Sequence, residues 1–146
     1  MRESSTSKPI LHHGLTIVCV AALAGLLLAQ ARSVREGVFT KAQAARGLSL
    51  YRAECARCHG ETLMGGEDAP GLVDNDFLEK WNGKSVGEMV ELIRKTMPSD
   101  GPGHLTRKQC VDMTAYLLSA NKFPTGEKEL DTDIAGLNEI KIEPKR

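Results

Sequence analysis

Cys55-Ala56-Arg57-Cys58-His59 is the stretch on which the reading of this 146-residue chain turns. It sets two thiols three positions apart and an imidazole directly after the second. Thiols at that separation can each add to one of the two vinyl groups of a haem, and the adjoining histidine then sits under the iron. Neutral imidazole binds that iron axially. With 4 Cys and 4 His in the chain, chance produces the pattern in roughly 0.003 of such sequences. Three other readings meet obstacles. Zinc needs a further Cys or His pair at ligand spacing, which the sequence lacks. A redox-active Cys-x-x-Cys belongs in a βαβ context, and the flanking sequence is helical. A structural disulfide across this short spacing is strained. The motif therefore predicts one haem c, with its iron, bound covalently through Cys55 and Cys58 and ligated by His59.

Three helical patterns surround the motif. Thr40-x-x-Gln43 reads as a capping box, and Ala44, Gly47, Leu48 and Tyr51 continue an i, i+3, i+4 stripe towards Cys55. Ser85-x-x-Glu88 opens a second helix with Val86, Met89, Val90 and Ile93 on its apolar face. Thr106-x-x-Gln109 opens a third, running through Val111, Ala115, Tyr116 and Leu118 to about Asn121, before Pro124. A short helix is predicted over residues 75–80. Glycines and prolines fill residues 60–71 and 98–103, as in turns. No stretch alternates apolar and polar residues well enough to predict a strand. The fold class is all-α. Beyond Lys122 the chain is mostly polar, and Leu130, Ile134, Leu137, Ile140 and Ile142 are expected to pin residues 122–146 to the body as a short helix and an extended run.

Composition agrees with a domain that needs a staple. Only six aromatics occur, Phe39, Tyr51, Phe77, Trp81, Tyr116 and Phe123. A core this thin usually leans on a metal, a disulfide or a large apolar cofactor. The 19 basic and 19 acidic residues balance, which argues against a nucleic-acid partner.

Residues 9–31 contain no charged side chain, and Leu15 to Ala29 is a continuous short apolar run ending in Ala29-Gln30-Ala31. Arg2 and Lys8 precede it. A charged start, a short apolar run and a small-residue exit describe a secretory signal. The run falls short of the ~20 residues a spanning helix wants. An uncleaved single-pass anchor is the competing reading of residues 1–31, and only then is the membrane a partner. Cys19 lies inside this run, and its flank Thr16-Ile17-Val18 matches a lipoprotein site poorly. On either reading residues 32–146 act on the extracytoplasmic side, such as the periplasm.

From about Thr40 to Asn121 the chain resembles a class I c-type cytochrome. Gly47 and Tyr51 resemble the small-plus-aromatic pair of that family's first helix. Asp112-Met113-Thr114-Ala115-Tyr116-Leu117-Leu118 resembles its C-terminal helix, which crosses the first at close range. The resemblance implies a cytochrome c domain over residues 32–121, with three main helices, a short helix and loops wrapped around the haem. It implies a contact of Gly47 with Tyr116. Ala69-Pro70-Gly71-Leu72 resembles the element whose proline carbonyl accepts the ligand histidine's second proton, a bond that fixes the ring. Phe77-x-x-x-Trp81-x-Gly83 and Thr96-Met97-Pro98 are shared with single-domain cytochromes and with cytochrome domains of quinoprotein dehydrogenases. By the same analogy Trp81 donates its indole N–H to a haem propionate; a core aromatic is the other reading. Cys110 is read as a small core side chain in preference to a reactive thiol. Arg57 is either a docking charge or a solvated cation.

Met97 is expected to be the sixth ligand. Met1 is in the leader, Met64 follows His59 too closely, Met89 belongs to a packing stripe, and Met113 stands where the family packs its last helix. Met97 instead leaves a helix just before Pro98, which ends the helix and favours an extended residue ahead of it. His104 is its rival, set among Gly101, Pro102 and Gly103. These residues predict a single-electron carrier between redox partner proteins, a dehydrogenase or an oxidase, and not an enzyme in its own right. Two alternatives stand beside it: a membrane-anchored cytochrome subunit dedicated to one dehydrogenase, and a haem enzyme or gas-binding protein with an open iron position.

Overall fold

The structure, a computed structural model, describes residues 32–67 and 69–144. The predicted leader over residues 1–31, with Cys19, lies outside the described residues. The chain starts in a two-residue strand, β1 (Arg32–Ser33), and a single 3-10 turn (Val34–Glu36). Six helices follow among the described residues: α1 (Lys41–Glu54), α2 (Ala56–His59), α3 (Asp74–Trp81), α4 (Val86–Thr96), α5 (Arg107–Ala120) and α6 (Ile134–Asn138). A second strand, β2 (Ile140–Lys141), pairs in parallel with β1, Arg32 opposite Ile140 and Ser33 opposite Lys141. The sequence predicted no strand. A two-residue element is too short for any period to show.

Local signals place the helix starts. Ser85 and Glu88 form a full capping box on α4, and Thr106 and Gln109 form one on α5. Each satisfies two backbone N–H groups that the first turn leaves without partners. On α1 only half of the expected box exists. Thr40 accepts from the Gln43 N–H at 3.1 Å. The Gln43 amide turns instead to the tail, donating to the Leu130 carbonyl at 3.0 Å and accepting from the Leu130 N–H at 2.8 Å. Gln43 is buried, so its side chain must find partners inside, and a backbone segment offering one donor and one acceptor supplies both.

α1 and α5 form the central crossing. On α1 the buried residues Gln43, Ala44, Gly47 and Tyr51 make one helical face. α5 is buried on most sides, from Cys110 through Met113 and Ala115 to Leu118, as expected of a central helix. Gly47 faces the Asp112 carbonyl and Tyr116 Cβ, so the two backbones approach where Gly47 has no side chain. One residue earlier, Arg46 grips Asp112 with two bonds of 3.0 and 3.1 Å, and Lys108 is a second partner. Burial raises the Asp112 pKa, but the guanidinium and ammonium outweigh it and hold the carboxyl below its usual value.

The remaining elements close the core around this crossing. α4 buries Val86, Met89, Val90 and Ile93, and α3 buries Phe77 and Trp81. In the tail Leu130, Leu137, Ile140 and Ile142 are all buried. Asn121, just past α5, donates to the Leu72 and Leu117 carbonyls at 3.0 and 2.8 Å and accepts from the Asp74 N–H at 3.0 Å. One amide thus stitches the loop after residue 71 to the end of α5.

Candidate functional site

Cys55, Cys58 and His59 stand at positions i, i+3 and i+4, so a helical turn places all three on one side. The chain makes that turn. The Cys58 and His59 N–H groups bond to the Cys55 carbonyl at 3.1 and 3.0 Å, and α2 spans only these few residues. Gly60 then leaves the helix at φ 76°, and its carbonyl accepts the Tyr51 hydroxyl at 2.6 Å. The Tyr51 ring lies 5.3 Å from that of Tyr116. α1, α2 and α5 are therefore tied together directly beside the motif.

All three motif side chains line one open cleft of about 1070 Å³, counting the solvent at its mouth. Its walls are mainly apolar, with Met89, Leu92 and Ile93 from α4, Met113 and Leu117 from α5, and Trp81 from α3. Met97, Pro98, Ala69 and Pro70 come from loops. Among the described residues, the wall carries one carboxylate, Glu54, and one ammonium, Lys80, besides His59 and the thiols.

His59 is buried, and its Nδ1 lies 2.9 Å from the Pro70 carbonyl oxygen. A carbonyl only accepts, so Nδ1 carries the proton and Nε2 keeps its lone pair, the form an iron ligand needs. Met97 is extended at φ −122°, ψ 148°, and its N–H still closes the last turn of α4 on Ile93 at 2.9 Å. The thioether thus leaves the helix where the chain stops being helical, and it reaches the same cleft as His59.

No disulfide joins Cys55 to Cys58. Burial pushes the Cys55 thiol up to about 11, the opposite of the lowered value that makes a redox-active cysteine nucleophilic. No third or fourth side chain converges on the pair as a metal site among the described residues. The donor chemistry fits a haem: two thiols for the vinyl groups, an imidazole and a thioether for the iron, and an apolar cleft for the ring.

The other expected residues fall as follows. Trp81 is nearly buried on the cleft wall, with Lys80 Nζ 5.6 Å and Lys84 Nζ 5.4 Å from its ring centre, inside cation–π range. Cys110 is fully buried and not on the cleft wall. Burial also pushes its thiol up to about 11. His104 does not line the cleft. It bonds to Glu54 at 3.1 Å and to the Gly101 carbonyl at 2.7 Å. Arg57 pairs with Asp100. Sequence reasoning missed both of these contacts, because their partners lie 43 and 50 positions apart. Met89 and Met113, assigned to packing, are buried in the core, and both also line the cleft.

Residues 42–117, just over half of the chain, match the model of the family described as cytochrome c oxidase, cbb3-type, subunit III. The chain is 32% identical over 91 residues to the cbb3-type cytochrome c oxidase subunit FixP of Sinorhizobium medicae (strain WSM419). That alignment covers 54% of this chain and 30% of FixP, so the chain spans less than a third of the length of the curated relative it matches. Among solved structures it is similar to the sulfane dehydrogenase SoxCD from Paracoccus pantotrophus, with a TM-score of 0.47 and 16% identity, covering 95% of this chain and 68% of that one.

Proposed function

The chain belongs to the family described as cytochrome c oxidase, cbb3-type, subunit III, a group of class I c-type cytochrome domains, and from that membership we propose that it is a single-electron carrier with one haem c. Cys55 and Cys58 would attach the haem, and His59 and Met97 would hold its iron. The observation that carries this reading is the shared cleft: residues from the motif turn, from the loop after α4 and from the loop at Pro70 meet on one apolar wall. Bound there, the haem supplies a ferrous/ferric couple. The chain's own part is to hold and insulate it. The Pro70 carbonyl orients His59 and raises its basicity. The apolar wall and a thioether ligand favour the ferrous form and so raise the potential. Trp81, flanked by Lys80 and Lys84, serves the propionate side. With His59 and Met97 both on the iron, it would offer substrate no open position.

Export belongs to the same proposal, with residues 1–31 removed or kept as an anchor; the support is their sequence alone. The cytochrome domain is then residues 32–121, and the tail that follows packs on it through Leu130, Leu137, Ile140 and Ile142. The redox partners are extracytoplasmic proteins, an oxidase or a dehydrogenase.

The ligand assignment is tested in the ferric protein by its weak far-red sulfur-to-iron absorption band. The band is expected in the wild type, abolished in Met97→Ala and kept in His104→Ala. Met97→Ala is also expected to bind carbon monoxide readily when reduced. A wild type without the band, or its loss in His104→Ala instead, overturns the assignment.

A further inference from the structure

The loop that follows Met97 is fastened to the haem motif at two points. Asp100 pairs with Arg57 of α2, and His104 bonds to Glu54, the last residue of α1 and the neighbour of Cys55. The chain turns tightly through Asp100, the Gly101 N–H bonding to the Pro98 carbonyl at 3.0 Å. Both nitrogens of the His104 ring face oxygens that can only accept: Nδ1 lies 2.7 Å from the Gly101 carbonyl and Nε2 lies 3.1 Å from the Glu54 carboxylate. Neutral imidazole has one N–H and satisfies one of them. Imidazolium has two and satisfies both. The charged groups set against the ring are Glu54 from α1 and Asp100 from its own loop, the latter also held by Arg57 from α2. The Gly101 carbonyl, then Glu54, raise the His104 pKa above the ordinary histidine value.

We propose that His104 is a positioning residue for Met97: its imidazolium clasps the loop behind Met97 to the end of α1, and loss of one proton opens that clasp and eases displacement of the methionine sulfur. This rests on Met97 being the sixth ligand. Because the folded-state pKa is raised, the clasp is fully made below the ordinary value near about 6.5. It is lost as pH rises through the raised value. The tie between Arg57 and Asp100 does not switch there, since the pairing raises the Arg57 pKa and lowers that of Asp100.

The test uses the ferric holoprotein and cyanide as the displacing probe. Its association rate is measured against pH for the wild type and for His104→Ala, and the ratio of the two cancels the protonation of cyanide itself. Below pH about 6.5 the variant is expected to react roughly two- to five-fold faster, the size that one half-exposed charged contact supports. Above the His104 pKa the ratio should fall to one. Glu54→Gln, which keeps the shape and removes the charge, should show the same convergence and return the His104 proton-resonance titration towards the ordinary value. A wild-type far-red band together with a ratio that is flat with pH, at one or at any other value, overturns the clasp while leaving Met97 as ligand. A wild type without the band overturns the ligand assignment and the clasp with it.

Discussion

Changing Cys55 and Cys58 together to alanine is expected to leave almost no stable protein. Both thiols stand on the cleft wall among Met89, Ile93, Met113, Leu117 and Trp81. Without a covalently held haem, these side chains line an open apolar cleft that water must fill. Water in an apolar cleft forfeits the dispersion contacts and burial that the walls make with a ring. The helices that meet there, α3, α4 and α5, then lose the ring as a shared packing partner. A domain of this size holds only about 5–15 kcal/mol of net stability, which loss of the central packing partner removes. The expected readout is a collapse in yield, with no cooperative thermal transition by circular dichroism. A haem-free double variant that melts cooperatively near the wild-type temperature would show that the core stands without its cofactor.

Gly47→Ala should be the most damaging single-methyl change on the surface of α1. Alanine normally favours a helix over glycine by about 1 kcal/mol. Here a Cβ would stand 2.7 Å from the Asp112 carbonyl carbon and 2.7 Å from Tyr116 Cβ, and it would overlap the Asp112 carbonyl oxygen. Neither obstacle is the free end of a flexible side chain. One is the backbone of α5, held in register by its own hydrogen bonds. The helices must move apart, and that also stretches the Arg46 grip on Asp112 and the Tyr51–Tyr116 contact. Overpacking of this kind costs about 3 kcal/mol or more, which overrides the propensity gain. A fall in melting temperature of roughly 15 °C follows. The exposed position Ala53 provides the contrast: Ala53→Gly should lower the melting temperature by only a few degrees, about what helix propensity alone predicts. Equal losses at the two positions would mean that the crossing tolerates a methyl group.

What could be read from the sequence was what is decided within a few residues. The caps at Ser85 and Thr106 involve partners three positions on, and both formed in full. The end of α4 at Thr96 follows from Pro98, and α3 begins one residue before and ends one residue after its predicted limits. The motif turn follows from its own spacing. The contact between Gly47 and Tyr116 came from family resemblance, since nothing local to either residue requires it. Gln43 shows where local reading stops: its side chain left the cap for Leu130, 87 positions along the chain. The pairs of Arg57 with Asp100 and of Glu54 with His104 were illegible for the same reason. A surface charge has many possible partners in sequence, and only the folded path of the loop after Met97 selects one. Trp81 is intermediate. Its burial agrees with the core-aromatic reading, but the placing of Lys84 against its ring depends on the turn at Gly83.

The pairing of β1 with β2 has a mechanical consequence. The two strands run in the same direction, and β2 also meets the segment after α3, where Gly83 donates to the Ile142 carbonyl at 2.8 Å and Ile142 donates to the Lys84 carbonyl at 2.9 Å. Tension applied ahead of β1 and beyond β2 pulls two parallel strands lengthwise past each other. Their hydrogen bonds then share the load at once instead of parting one after another as in a zipper. A pull on the two ends is thus met by a shear joint at the edge of the domain before it reaches the α1–α5 crossing or the turn that holds Cys55, Cys58 and His59.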